Sequence, residues 1–112
     1  MYAASKGAIS AFTKSLAIDE ATHGVRVNAV LPGNIYTKGR AEAIKAMGKT
    51  GLEVDRWAEA TQPVGRSGTP EEAGQVVLFL ASEAASFLTG VELMISAGIE
   101  LGVGIKYPPI WI

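Results

Sequence analysis

The protein is a chain of 112 residues with 48% hydrophobic and 19% charged residues, a composition typical of a single globular domain. Its formal net charge of -1 provides no basic surface for nucleic acid or anionic membranes, so small molecules are the expected partners. The absence of cysteine excludes disulfides and thiolate metal sites, and the single histidine, His23, excludes a site built from several histidines.

Targeting and membrane-spanning patterns are missing from the sequence. No signal-peptide pattern opens it, and no apolar run reaches the roughly 18 residues that a membrane-spanning helix requires. We therefore expect a cytoplasmic protein that binds neither membranes nor nucleic acid.

The first part of the chain predicts a helix followed by a buried strand. Small and apolar residues recur at three- and four-residue steps over 3–22, which predicts a helix with one closely packed face; that face contains Ala4, Ala8, Ala11, Phe12, Ser15, Leu16 and Asp19. Gly24 then supplies a left-handed stop. The run VRVNAVL at 25–31 predicts a parallel strand buried on both faces, which Pro32-Gly33 ends.

The second part predicts a helical lid, a helix and a second strand. Segment 37–61 contains two helical patterns, AEAIKAM and VDRWAEA, separated by GKTG, and we interpret it as a mobile lid. In GTPEE at 68–72, Thr69 is placed as an N-cap and Glu72 to complete a capping box. The run VELMIS at 91–96 predicts a strand closed by Ala97-Gly98.

The order helix, strand, lid, helix, strand is typical of a parallel α/β sheet. Two strands are only the margin of such a sheet, because one edge of segment 25–31 would have no neighbour. The sequence therefore predicts an α/β fold that is incomplete as a domain.

Tyr2 and Lys6 are candidates for acid/base chemistry. Residues four apart share one face of a helix, and an ammonium group beside a phenol favours the phenolate. Such a pair can exchange a proton with a substrate. Spacing alone leaves a solvated pair at a frayed terminus as the favoured alternative.

The motifs taken together resemble the short-chain dehydrogenase/reductase family. The matching segments, in the family's order, are YAASKG at 2–7, VRVNAVLPGNIYT at 25–37, GRSGTPEE at 65–72 and FLASEAASFLTG at 79–90. The resemblance implies the C-terminal portion of a Rossmann-like doubly wound parallel sheet over residues 1–112, with a lid at about 38–61 and an apolar tail at 103–112. It also implies dimers or tetramers.

The resemblance implies a role for each matching residue. Tyr2 would be the catalytic acid/base, and Lys6 would favour its phenolate and bind the nicotinamide ribose. The cofactor-binding residues would be Tyr2, Lys6, Pro32, Gly33, Ile35 and Thr37, with the Ile35 backbone binding the carboxamide. Asn34 and Met47 would contact the substrate.

Several of these residues have simpler alternatives. Pro32-Gly33 could be only a strand terminator, and Thr37 could be the N-cap of the next helix. Met47 could be lid packing. Asn28 is better interpreted as an amide satisfied by backbone groups than as a ligand contact.

The activity implied is oxidation of a secondary alcohol or reduction of a ketone, with NAD as the expected cofactor and NADP as its alternative. The substrate could be a hydroxysteroid, a sugar, a simple alcohol or a 3-oxoacyl thioester. The family's Gly-rich turn and catalytic serine are not among these 112 residues, so we expect the chain by itself to be inactive. The alternative is a non-catalytic fragment that acts in assembly with a full-length relative.

Overall fold

A computed structural model describes residues 1–101. Its elements are helix α1 (Tyr2–Ala21), strand β1 (Ala29–Pro32), helix α2 (Lys38–Ala60), helix α3 (Pro70–Ala81) and strand β2 (Glu92–Ile95), with 3₁₀ turns at Glu83–Ala85 and Ile99–Leu101. This order confirms the predicted α/β arrangement. The apolar tail predicted at 103–112 lies outside the described residues.

The chain divides into two compact units. The first comprises Met1–Leu31 and Gln75–Leu93, and the second begins with Pro32–Gly74 and continues from Met94. Strands β1 and β2 form a two-stranded sheet. Their pairing is parallel, because the Ala29 N–H donates to Val91 O and, further along both strands, the Gly33 N–H donates to Ile95 O.

Helix α1 in the first unit was predicted correctly in extent, but its packed face was not. Thr13 and Ala17 are buried, whereas Phe12, on the predicted face, is largely exposed. Ala17 lies beside Gly90, where an added Cβ would be 3.5 Å from the Ala17 Cβ. Small residues occur on more than one side of α1, so their periodicity does not identify the face that packs.

Strand β1 is shorter than the predicted segment 25–31 and is only half-buried. Before it begins, backbone and side-chain bonds are mixed: the Val27 O accepts from the Gly90 N–H, whereas the Val27 N–H donates to the Thr89 hydroxyl. The Asn28 amide donates to Leu88 O and accepts from the Val91 N–H. These bonds confirm that Asn28 is satisfied by backbone groups, and they explain why regular pairing starts only at Ala29.

Helix α2 in the second unit consists of two helical segments joined at Gly48. Gly48 has φ +56° and ψ -131°, a conformation that side-chain-bearing residues rarely adopt. The segments approach closely at Gly51, where an added Cβ would lie 2.9 Å from the Met47 Cβ. The predicted pair of helices is therefore present, but the break is at Gly48 alone, and residues 49–51 of the predicted GKTG separator are helical.

Helix α3 begins with the predicted capping box. The Glu72 N–H donates to the Thr69 hydroxyl at 3.1 Å, and the Glu72 carboxylate accepts from the Thr69 N–H at 2.8 Å. Arg66 makes two further bonds to this carboxylate, at 2.7 and 2.9 Å. The hydrogen bond from Arg66, followed by the one from the Thr69 N–H, lowers the pKa of Glu72 from 4.5 to about 2.

Strand β2 ends at a tight turn. Ala97 has φ +51° and Gly98 has φ +83°, which confirms the predicted stop. Ser96 is buried, and its hydroxyl is hydrogen-bonded to the Glu100 carboxylate. In the part of the chain that the structure describes, no helix has the length and apolarity needed to cross a membrane.

Glu72→Gln should lower the melting temperature near neutral pH, because an amide accepts more weakly from Arg66 and from the Thr69 N–H. The pKa of Glu72 is depressed in the folded state, so its stabilisation is present above pH 4.5 and is lost as the pH falls through about 2. The difference in melting temperature between wild type and variant should therefore shrink over that range.

Glu71→Gln is the matched control, since Glu71 lies in the same helical turn and shares its interaction with the helix dipole. Thermal unfolding of both variants between pH 7 and pH 2 tests the prediction. Equal pH dependence for the two variants would contradict a specific role of the Arg66–Glu72 contact.

Candidate functional site

The tyrosine and lysine of the YAASKG motif lie together at the start of α1, in the first unit. The Lys6 Nζ is 5.4 Å from the centroid of the Tyr2 ring, which confirms that the four-residue spacing places both side chains on one face. Tyr2 is 77% exposed, so its hydroxyl is accessible. The Ser5 hydroxyl donates to Tyr2 O at 2.7 Å within the same turn. The pair has the composition required for proton exchange with a bound hydroxyl group.

A turn over residues 32–37 follows β1 in the second unit. Its second residue, Gly33, occupies a position that only glycine fits. A Cβ added to Gly33 would lie 2.9 Å from the Ser96 Cα and 3.1 Å from the Gln62 Oε1. Because the nearest obstacle is backbone, it cannot move aside as a flexible side chain would. Pro32-Gly33 therefore has a packing role in addition to ending the strand, and the predicted cofactor role of both residues stays a prediction.

Gln62 holds this turn, and the sequence analysis did not identify it. The residue is 2% exposed. Its side-chain oxygen accepts from the Asn34 N–H at 3.0 Å, and its side-chain nitrogen donates to Arg66 O. The Asn34 amide in turn donates to Ala58 O at 2.8 Å. Nothing in the local sequence distinguishes Gln62 from a surface glutamine, because its partner is 28 residues away.

The backbone N–H and C=O of Ile35 form a donor and an acceptor on one side of the turn. It forms an isolated parallel bridge with Gly68, made by the Asn34 carbonyl and the Tyr36 N–H, at 2.9 and 2.8 Å. In a parallel bridge the N–H and C=O of the central residue face the opposite side. Within residues 1–101 neither group of Ile35 has a hydrogen-bond partner. One donor beside one acceptor matches a primary amide, such as the carboxamide of nicotinamide.

Thr37 is the N-cap of α2. Its hydroxyl accepts from the Arg40 N–H at 3.2 Å, and its backbone is extended, with φ -104° and ψ 164°. The structure thus confirms the simpler alternative for this residue. A hydroxyl oxygen retains a proton to donate, so the cap is compatible with the predicted cofactor contact, which stays a prediction.

A cavity of about 380 Å³ lies between the turn and the two segments of α2. It is lined by Gly33, Asn34, Ile35, Arg40, Ala43, Ile44, Met47, Gly51, Val54, Asp55 and Ala58. The cavity thus brings together both predicted substrate-contact residues, Asn34 and Met47. Pro32 and Thr37 are not among its lining residues. Arg40 and Asp55, which the sequence analysis did not single out, supply its charged groups.

The first unit has a groove of its own, of about 520 Å³, beside β1 and α3. The Arg26 guanidinium in its wall donates to the carbonyls of Leu88 and Ser82, both at 3.3 Å. None of the predicted site residues lines this groove. Across residues 1–101, no group of histidine, cysteine, aspartate or glutamate side chains is arranged to hold a metal ion.

Comparison with known proteins identifies relatives along almost the whole chain. The family model described as enoyl-(acyl carrier protein) reductase matches residues 1–100. L-fucose dehydrogenase of Oryctolagus cuniculus is 50% identical over 103 residues, which are 92% of this chain and 36% of the relative. The chain therefore spans little more than a third of that relative's length.

Two solved structures share the fold. Ligand-free aldohexose dehydrogenase of Thermoplasma acidophilum has a TM-score of 0.81 and 34% identity, over 96% of this chain and 43% of that one. A short chain dehydrogenase family protein of Francisella tularensis subsp. tularensis SCHU S4 has a TM-score of 0.79 and 35% identity, over 89% of this chain and 43% of that one. With the family match and the YAASKG and PGNIYT motifs, these similarities show that the chain belongs to the short-chain dehydrogenase/reductase family.

Proposed function

We propose that this chain carries acid/base and cofactor-binding residues of an NAD(P)-dependent oxidoreductase that interconverts a secondary alcohol and a ketone. The observation that carries the proposal is the contact between the Lys6 ammonium and the Tyr2 ring. Membership of a family of dehydrogenases supports the same reaction class.

Tyr2 is the proposed proton acceptor in the oxidation. As the carbinol carbon loses a hydride, the substrate hydroxyl transfers its proton to the Tyr2 oxygen, and the ketone is released. Lys6 is the proposed partner of Tyr2 in this proton transfer, because its ammonium nitrogen lies 5.4 Å from the centroid of the Tyr2 ring. In the reduction the phenol returns the same proton to the carbonyl oxygen.

The cofactor proposed is NAD, with NADP as the alternative. When bound, a nicotinamide dinucleotide supplies the hydride acceptor of the oxidation. The Ile35 N–H and C=O would bind its carboxamide, and the Thr37 hydroxyl would add a further contact. Pro32 and Gly33 shape the turn, and Lys6 would bind the ribose hydroxyls.

The substrate proposed is a hydroxylated small molecule that contacts Asn34 and Met47. The L-fucose and aldohexose dehydrogenases among the relatives favour a sugar. A hydroxysteroid is the second candidate, because Ile35, Ile44 and Val54 give the cavity apolar walls. Simple alcohols and 3-oxoacyl thioesters complete the range.

Self-association into a dimer or tetramer is also proposed. Ile9, Phe12 and Ile18 of α1 are each more than half exposed, which is costly for large apolar side chains in water. A second copy would cover them. The same surface favours the alternative function, in which the chain acts only in assembly with a full-length relative.

Tyr2→Phe in the full gene product should reduce kcat by about 100-fold or more, the usual range for removal of an acid/base group. Binding of NADH, followed by calorimetry, should change little because the ring remains. Tyr36→Phe is the control, since it removes another partly exposed phenol hydroxyl. If both variants retained wild-type turnover, the proposed role of Tyr2 would be wrong.

Gln62→Met should raise the KM for the dinucleotide about tenfold, the loss expected for roughly one hydrogen bond to a buried group, with a smaller effect on kcat. Methionine has a similar volume but lacks the amide oxygen that accepts the hydrogen bond from the Asn34 N–H. Gln75→Met is the matched control, because Gln75 is an exposed glutamine of α3 that lies outside the turn. An unchanged KM in a Gln62→Met protein of normal melting temperature would show that Gln62 does not position the turn.

A further inference from the structure

An ion pair crosses the two segments of α2 within the cavity wall. Arg40 belongs to the first segment and Asp55 to the second, and the Arg40 Nη2 is 2.5 Å from the Asp55 Oδ1. Their side chains are only 20% and 16% exposed. The rest of the wall is mostly apolar, so this pair and the Asn34 amide are its main polar groups.

Asp55 fixes Arg40 without using all of its hydrogen-bonding capacity. The Asp55 Oδ1 is buried and faces the Arg40 Nη2, one of the two terminal nitrogens of the guanidinium group. A guanidinium group has five N–H donors in a planar fork. Among the described residues, the ion pair with Asp55 engages only the Nη2 of Arg40, and the other guanidinium nitrogens have no partner. Arg40 therefore offers N–H donors to a ligand in the cavity, while Asp55 restricts its orientation.

The net charge of the Arg40–Asp55 pair indicates which class of ligand the Arg40 donors would bind. Because Asp55 neutralises Arg40, a carboxylate or phosphate substrate would gain little net attraction. A hydrocarbon surface such as a steroid would remove water from the pair and give no hydrogen bonds in return, which is costly. The hydroxyl and ring oxygens of a neutral sugar replace that water, and the C–H face of its ring can pack against Ile35 and Met47.

From this geometry we infer that Arg40 is a specificity-determining residue that selects neutral polyhydroxylated substrates, with Asp55 as its positioning residue. The inference rests on the proposed function, since it assigns the cavity to the substrate of that reaction. It extends the proposed function by naming two residues that favour a sugar over a hydroxysteroid.

The test compares L-fucose with 17β-oestradiol as substrates of the full gene product, using the ratio of their kcat/KM values. The wild type should favour L-fucose. Arg40→Met, which keeps the length of the stem and removes the donors, should lower that ratio by about tenfold or more, as expected for loss of a hydrogen bond to a charged group. Asp55→Asn should raise the KM for L-fucose with a smaller effect on kcat.

Arg56→Met is the matched control, because Arg56 is an exposed arginine of the same helix and does not line the cavity. Its ratio should stay within about twofold of wild type, as is usual for surface substitutions. Equal ratios for Arg40→Met and Arg56→Met, or a wild type that prefers 17β-oestradiol, would overturn the inference. If Arg40→Met does not fold, Arg40→Lys replaces it: lysine keeps the charge but lacks the planar fork of donors, and the ratio should again fall.

Activity measurements on the wild type distinguish the proposed reaction from the proposed role of Arg40. A wild-type protein that oxidises neither compound with NAD or NADP would contradict the proposed function. A wild type that oxidises 17β-oestradiol better than L-fucose would support the proposed function and contradict only the role of Arg40.

Discussion

The close approach of the Gly33 and Ser96 backbones is the constraint on which the second unit depends. Parallel pairing of β1 with β2 brings the carboxyl ends of the two strands side by side, with the Gly33 N–H bonded to Ile95 O. A Cβ at residue 33 would collide with the Ser96 backbone, so only glycine allows the chain to turn at this position. Gln62 then fixes the Asn34 N–H. These contacts leave the peptide groups of Ile35 on the side opposite Gly68.

The turn and the kinked helix α2 line the cavity with different kinds of groups. The turn supplies backbone groups of defined direction, whereas the two segments of α2 supply apolar side chains and the Arg40–Asp55 pair. A ring bearing several hydroxyl groups has both kinds of surface. This mixed lining is the observation on which the proposed polyhydroxylated substrate rests.

Local signals in the sequence predicted the local features of the structure. The capping box of α3, the left-handed Gly24 and the contact of Tyr2 with Lys6 each depend on residues within one or two helical turns. The contact of Gln62 with the Asn34 N–H and that of Arg40 with Asp55 depend on residues that the tertiary fold brings near, so no local pattern predicts them. The late start of β1 has the same cause, because Asn28 bonds to groups some 60 residues away.

The central claim is that the free peptide groups of Ile35 bind the carboxamide of a nicotinamide cofactor, and amide NMR of the full gene product tests it most directly. Titration with NADH should shift the Ile35 N–H resonance and slow its hydrogen exchange. The Tyr36 N–H, already bonded to Gly68 O, should keep its exchange rate and serves as the internal reference. Saturating NADH that binds without slowing exchange at Ile35 would contradict the claim.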